Sequence, residues 1–228
     1  MAQRLLNKVA VVTGASGRLG RAVVQKFVSE GAKVVLFARN RGRLDELAEL
    51  APARIVVVSG DVTRPADLEL LRETTLRRMG AVDILVPVAE LFQPAGLAES
   101  TPEIVAEIFA VNFQGALQTI RALERHLNSP ASIVLATTAL TEEPRAGWGA
   151  YAASKAALAA LARSLSAELA PRRIRVNCVA PTWREPTAEA KPSPAQKPAP
   201  AADAAQTVLF LASEESAGLT GQQLVVGQ

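Results

Sequence analysis

Tyr151 and Lys155 stand four residues apart in the run Tyr151-Ala152-Ala153-Ser154-Lys155, a spacing that puts a phenol and an ammonium on one face of a helix. A tyrosine with its ordinary pKa near ~10 is a poor acid–base group at neutral pH, and a cation held beside its oxygen draws the phenol toward the working range. The pair is a candidate for proton transfer. The spacing alone also fits an aromatic on a core face beside a solvated lysine, so its meaning rests on what the chain places around it.

A glycine-rich turn, Thr13-Gly14-Ala15-Ser16-Gly17-Arg18-Leu19-Gly20, follows the apolar, β-branched run Val9 to Val12. A helical stripe of Leu19, Val23, Val24, Phe27 and Val28 begins directly after it. Strand, glycine turn, helix is the order in which the glycines carry meaning. Residues without a Cβ let the backbone approach a pyrophosphate, whose charge then sits at the helix N-terminus. Gly14, Ser16, Gly17, Arg18, Leu19 and Gly20 are therefore the candidate nucleotide-binding residues.

Around these motifs the pattern predicts strands at 8–12, 33–38, 54–59, 82–88, 131–136, 174–179 and 222–226. Helices are predicted at 18–30, 41–50, 65–79, 101–127, 149–170 and 202–213. Apolar strands alternating with helices predict an α/β fold: a Rossmann-type doubly wound parallel sheet, helices on both faces, in one domain over 1–228. With 49% hydrophobic side chains the chain can build one large core. Ligands of such sheets lie beyond the carboxyl ends of the strands, which brings Gly14, Arg39, Asp61, Ala89, Thr138 and Pro181 together.

Composition excludes several classes. The formal charge is +3 and basic residues are interspersed with acidic ones, so no nucleic-acid groove is predicted. No apolar run approaches the ~18–20 residues of a membrane span, and the chain reads as cytoplasmic. The single cysteine, Cys178, lies in an apolar strand and reads as a buried small hydrophobe. No metal cluster is evident.

Taken in order, the markers resemble the short-chain dehydrogenase/reductase family, NAD(P)-dependent oxidoreductases built on one Rossmann domain. They are the glycine turn at 13–20, Asp61-Val62 after the third strand, and Asn112 in a central helix. Thr137-Thr138 after the fifth strand, Tyr151 with Lys155, and Val176-Asn177-Cys178-Val179-Ala180-Pro181 complete the set. The resemblance implies that Tyr151 protonates a carbonyl oxygen or imine nitrogen as hydride leaves a nicotinamide, and that Lys155 lowers the tyrosine pKa and binds the nicotinamide ribose. It also implies that Thr138 takes the place of the family's serine on a small-molecule substrate, and that Asn112 supports a water relay. Val62, Ala89, Pro181 and Thr182 fall where relatives line the cofactor groove. Relatives pair through helices corresponding to 101–127 and 149–170, which implies a homodimer or homotetramer. The string Thr-Gly-x-x-x-Arg-x-Gly and Glu143 to Trp148 add a weak similarity to the pteridine reductase branch.

An NAD site of this kind places an acidic residue at the end of the second strand. Here the sequence is Phe37-Ala38-Arg39-Asn40-Arg41, and a guanidinium fork at Arg39 suits a 2′-phosphate. NADPH is therefore favoured over NADH. Arg43 is assigned to the solvated face of the following helix, and Arg41 divides evenly between the two roles.

Four departures from the family pattern stand out. Pro87-Val88-Ala89-Glu90 replaces Asn-Asn-Ala-Gly, removing a backbone donor and an amide and adding a carboxylate near the groove. Thr182 follows Pro181 where glycine is usual. A Pro/Ala-rich stretch at 187–202 stands in place of a helical substrate lid and reads as a mobile loop. The chain ends Leu224-Val225-Val226-Gly227-Gln228 without Asp-Gly-Gly. Two functions fit: a reductase of a carbonyl or pterin-like compound, or a non-catalytic dinucleotide-binding sensor or partner subunit.

Overall fold

In the computed structural model residues 3–139, 145–182 and 201–227 are described. Seven strands form one sheet: β1 (Val9–Thr13), β2 (Lys33–Ala38), β3 (Ile55–Ser59), β4 (Val82–Pro87), β5 (Leu127–Ala136), β6 (Ile174–Pro181) and β7 (Gln223–Val226). The order is β3-β2-β1-β4-β5-β6-β7, and every neighbouring pair is parallel. The doubly wound sheet read from the apolar strands is therefore present.

Alternate strand residues feed two cores, because successive side chains point to opposite faces. Ala10, Val12, Val34 and Leu36 pack with α1 (Arg18–Ser29), α2 (Arg41–Ala48) and α7 (Ala201–Ala212). Val11, Val35, Phe37 and Leu85 pack with α3 (Pro65–Met79), α5 (Gly115–Leu123) and α6 (Gly149–Leu169). Burial on both faces explains why the strands read as continuous apolar runs.

Three boundaries differ from expectation. The helix predicted at 101–127 is α4 (Pro102–Phe109), a π-helical turn (Ala110–Gln114), α5, and a 3-10 turn (Glu124–His126). A π turn admits one extra residue and re-aims the side chains within it. β5 starts four residues earlier than predicted, its Leu127 pairing with Val82 across a register irregularity. Of the loop expected at 187–202, residues 187–200 lie outside the described residues, and Ala201 and Ala202 are the first turn of α7. No helix among the described residues is long and apolar enough to cross a membrane.

Candidate active site

The order of the sheet reverses between β1 and β4, and a cleft of ≈ 600 Å³ opens at their carboxyl ends. The cleft is lined by the glycine turn (Gly14, Ser16, Gly17, Arg18, Leu19, Gly20), by Arg39, Asp61, Val62 and Ala89, and by Thr138, Tyr151 and Pro181. These predicted residues, from seven separate segments, are thus brought together.

Gly14 has φ +69°, and a Cβ there would fall 2.5 Å from the Ala89 backbone nitrogen. Only glycine allows that approach. Gly17 caps α1 without a side-chain hydrogen bond, and no acidic residue stands in the helix's first turn. The N-terminus of α1 therefore offers its partial positive charge to the cleft.

Pro87 ends β4 in register with Thr13. Where the family pattern would supply an asparagine, the Val88 N–H donates to the Thr13 carbonyl at 3.2 Å. The next residues are held from the π turn. Asn112 Oδ1 accepts from Leu91 N at 2.7 Å, and its Nδ2 donates to Leu91 O and to Ser154 Oγ, both at 3.0 Å. Ser154 Oγ donates in turn to the Tyr151 carbonyl at 2.7 Å. Fully buried, Asn112 clamps the segment after β4 to the helix carrying Tyr151. Asn112→Ala leaves the Leu91 and Ser154 groups unsatisfied and is expected to cost about 2–4 kcal/mol, read as a lower urea midpoint.

Tyr151 sits in the first turn of α6, whose N-cap is Trp148. Phe92 and Trp148 crowd its ring, with centroids 5.0 and 6.3 Å away and nearly perpendicular planes. Thr138 and Glu90 line the cleft with it. Burial, then the Glu90 charge and hydrogen bond, hold the phenol well above its ordinary pKa, with Thr138 opposing. Lys155, 1% exposed, donates to the Ala136 carbonyl at 3.1 Å and pairs with Glu90 at 2.6 Å. Its Nζ lies 5.6 Å from the Tyr151 ring centroid, on the face that the four-residue spacing predicted, but burial and Glu90 hold the phenol up where the lysine was expected to draw it down.

At the other end of the cleft the Arg39 guanidinium is 4.0 Å from Asp61 and its side chain is 77% exposed. Burial pushes the Asp61 carboxyl up, but hydrogen bonds from Thr63 and the charges of Arg39 and Arg64 outweigh it and hold the group below its ordinary value. Asn40 caps α2 by accepting from Arg43 N at 3.0 Å, which sets the first turn of that helix against the cleft.

Known proteins share this fold. The sequence model of a family described as enoyl-(acyl carrier protein) reductase matches residues 14–228. The chain belongs to the short-chain dehydrogenase/reductase family. It is similar to an uncharacterised oxidoreductase of Methylorubrum extorquens, 32% identical over 96% of each chain. A glucose 1-dehydrogenase of Gluconobacter oxydans is 29% identical over 98% of this chain and 91% of its own. The crystal structure of a short-chain dehydrogenase/reductase from Brucella melitensis superposes with a TM-score of 0.91 at 29% identity, covering 99% of this chain and 97% of that one. The protein is thus an oxidoreductase of a family that uses nicotinamide dinucleotides.

Within this short-chain dehydrogenase/reductase, three sequence-selected residues stand apart from the cleft lining: Asn112, which acts from behind it on Leu91 and Ser154, Thr182 and Lys155. Thr182 donates from its hydroxyl to the Val226 and Gly227 carbonyls at 3.1 and 2.7 Å and joins β6 to the C-terminal segment. Lys155 reaches the cleft only through its contacts with Glu90 and the Tyr151 ring. Two residues have more prominent places than their sequence reading. Glu90 lines the cleft and touches Lys155. Arg43, assigned to the solvated helix face, is also a cleft residue; the Asn40 cap was the signal for it. Cys178 is buried, and burial pushes its thiol up to about 12, against a nucleophilic role.

Proposed function

We propose that the protein is an NADPH-dependent reductase of a carbonyl compound or a pterin-like ring, with Tyr151 as the proton donor. The observation that carries this reading is that the Tyr151 and Thr138 hydroxyls open on the same cleft as the glycine turn and Arg39.

The fit of a dinucleotide rests on the cradle at Gly14 and Gly20, where added Cβ atoms would meet backbone at 2.5 and 2.2 Å, and on the uncapped N-terminus of α1. Gly14, Ser16, Gly17, Arg18, Leu19 and Gly20 would hold the pyrophosphate, with Asp61, Val62 and Ala89 beside the adenosine. Arg39, with Arg43, would bind a 2′-phosphate, while Pro181 and Lys155 would hold the nicotinamide end. When bound, the dinucleotide supplies the hydride. Tyr151 gives its proton to the substrate oxygen, or to a ring imine nitrogen. Thr138 hydrogen-bonds the same atom. The walls of the substrate end, Phe92, Trp148 and Tyr151, favour a flat substrate.

Titration with NADPH and with NADH, followed by nicotinamide fluorescence, tests the reading. Tight binding of NADPH and weaker binding of NADH supports it, and binding of neither refutes it. Arg39→Asp is expected to weaken NADPH binding by about ten-fold or more and to improve NADH binding. An unchanged NADPH/NADH ratio removes Arg39 from the phosphate site.

We further propose a homodimer or homotetramer, in the cytoplasm, formed through α4–α5 and α6. On these helices Phe109, Phe113, Leu161 and Leu165 remain only partly buried. A monomeric mass by light scattering refutes the assembly.

A further inference from the structure

Glu90 occupies a place in the fold that its neighbours make consequential. It follows β4 by three residues, in the segment that Asn112 holds at Leu91. Its carboxylate lies 2.6 Å from Lys155 Nζ and lines the same cleft as Tyr151, and it acts on the phenol to hold its proton. Lys155 is 1% exposed, and an ammonium removed from water to that degree needs an anion or several oxygen acceptors. Its described partners are the Ala136 carbonyl and Glu90. Of the three interacting groups Glu90 meets solvent most, its side chain being 37% exposed against 7% for Tyr151 and 1% for Lys155.

A lysine acting alone on a neighbouring phenol favours the phenolate, which is the base required to oxidise an alcohol. Here a carboxylate stands against both members of the pair. It offsets the lysine charge and acts on the phenol in its own right, and both effects favour the protonated phenol, which is the acid required for reduction. The surrounding charged and titratable groups do not reverse this. Lys155 is on the same helix, Cys178 on β6 carries a thiol that burial pushes up to about 12 against the charges of Arg163 and Lys155, and the Arg145 guanidinium lies over Trp148 at 5.9 Å. Asp61 lines the same cleft and pairs with Arg39.

We propose that Glu90 is a positioning residue of this active site: its carboxylate holds Tyr151 as a proton donor, serves as the solvent-facing counter-charge of Lys155, and biases the site toward reduction. The inference rests on Tyr151 being the acid of the reaction, and it extends that reading to the direction of proton flow.

Tyr151 is the only tyrosine in the chain, so phenolate absorbance reports this one side chain in the whole protein without substrate or dinucleotide. The experiment is a rapid pH-jump titration of the phenolate band, read before alkaline unfolding, for the wild type, Glu90→Gln, Glu90→Asp, Lys155→Met and the Glu90→Gln/Lys155→Met double variant. Glu90→Gln is expected to lower the phenolate midpoint by about one pH unit or more, a ten-fold rise in the ionisation constant. Glu90→Asp, which keeps the charge, should stay near the wild type. The downward shift should persist in the Lys155→Met background, because the carboxylate acts on the phenol in its own right. Coincident wild-type and Glu90→Gln curves overturn the proposal. So does a shift that vanishes when Lys155 is replaced, which would reduce Glu90 to a partner of the lysine alone. Failure of the catalytic reading is separable, since it appears as turnover that survives Tyr151→Phe, whatever the titration shows.

Discussion

Tyr151→Phe is expected to lower kcat by about 10²–10⁴-fold while leaving the dinucleotide Kd within about two-fold of the wild type. The substitution removes one oxygen. The ring contacts with Phe92 and Trp148 remain, and so does the packing of the first turn of α6. Thr138 and Glu90 both line the open cleft, so water can satisfy them. The lost activity then measures proton donation rather than collapse of the site. A pH profile gives a second reading of the same group. Because the Tyr151 phenol is held well above its ordinary range, it keeps its proton across neutral pH. The rate of reduction should therefore stay flat there and fall only when strongly alkaline solution removes that proton. Steady-state kinetics with NADPH and the reduced substrate, across pH, check both statements; retention of wild-type kcat in Tyr151→Phe rejects the assignment.

Gly20→Ala has the second largest expected effect, although it adds one methyl group. A Cβ at this position would lie 2.2 Å from the Gly14 carbonyl oxygen and 2.8 Å from the Ala15 Cα. Both are backbone atoms of the turn that forms the floor of the cleft. A flexible side chain could move aside, but these atoms cannot move without shifting α1 away from β1. Gly14 in turn packs against Ala89, so the displacement would spread to the segment after β4. Overpacking of this kind costs about 1–3 kcal/mol, which corresponds to a lower melting temperature of roughly 2–4 °C per kcal/mol for a domain of this size. Dinucleotide affinity should drop by more than about ten-fold, because the N–H groups of the turn and of the first turn of α1 are re-aimed together. Fluorescence titration and thermal unfolding of the same sample check the two effects; unchanged affinity means the turn does not carry the phosphates.

The elements and most of the cleft were legible in the sequence for a common reason. Strand–turn–helix order is local, and the parallel sheet then carries each strand end to one edge. Gly14, Arg39, Asp61, Thr138 and Tyr151 could be grouped without knowing a single contact. The π turn was not legible, because Val111-Asn112-Phe113-Gln114 has the composition of ordinary helix. What distinguishes it is the pull of Leu91 and Ser154 on Asn112, and these lie 21 and 42 residues away. Glu90 was visible as a departure but not as a partner of Lys155, since a carboxylate after β4 announces nothing about which helix will face it. Thr182 was grouped with the groove by its position after Pro181, yet a hydroxyl at a strand end takes the nearest free carbonyls, and β7 supplies them. Arg43 is exposed, as the solvated-face reading has it, yet it also lines the cleft, which a helix wheel drawn for one helix cannot show.

The bonding of Thr182 joins two regions usually considered apart. Its backbone N–H reaches Val226 O at 2.9 Å, and its hydroxyl reaches Val226 and Gly227. The residue before it, Pro181, is part of the cleft wall and pairs in register with Val226. Pulling on β7 therefore loads the cleft wall directly through these hydrogen bonds. A neighbouring subunit or an attached label that grips this strand acts as a lever on the catalytic pocket.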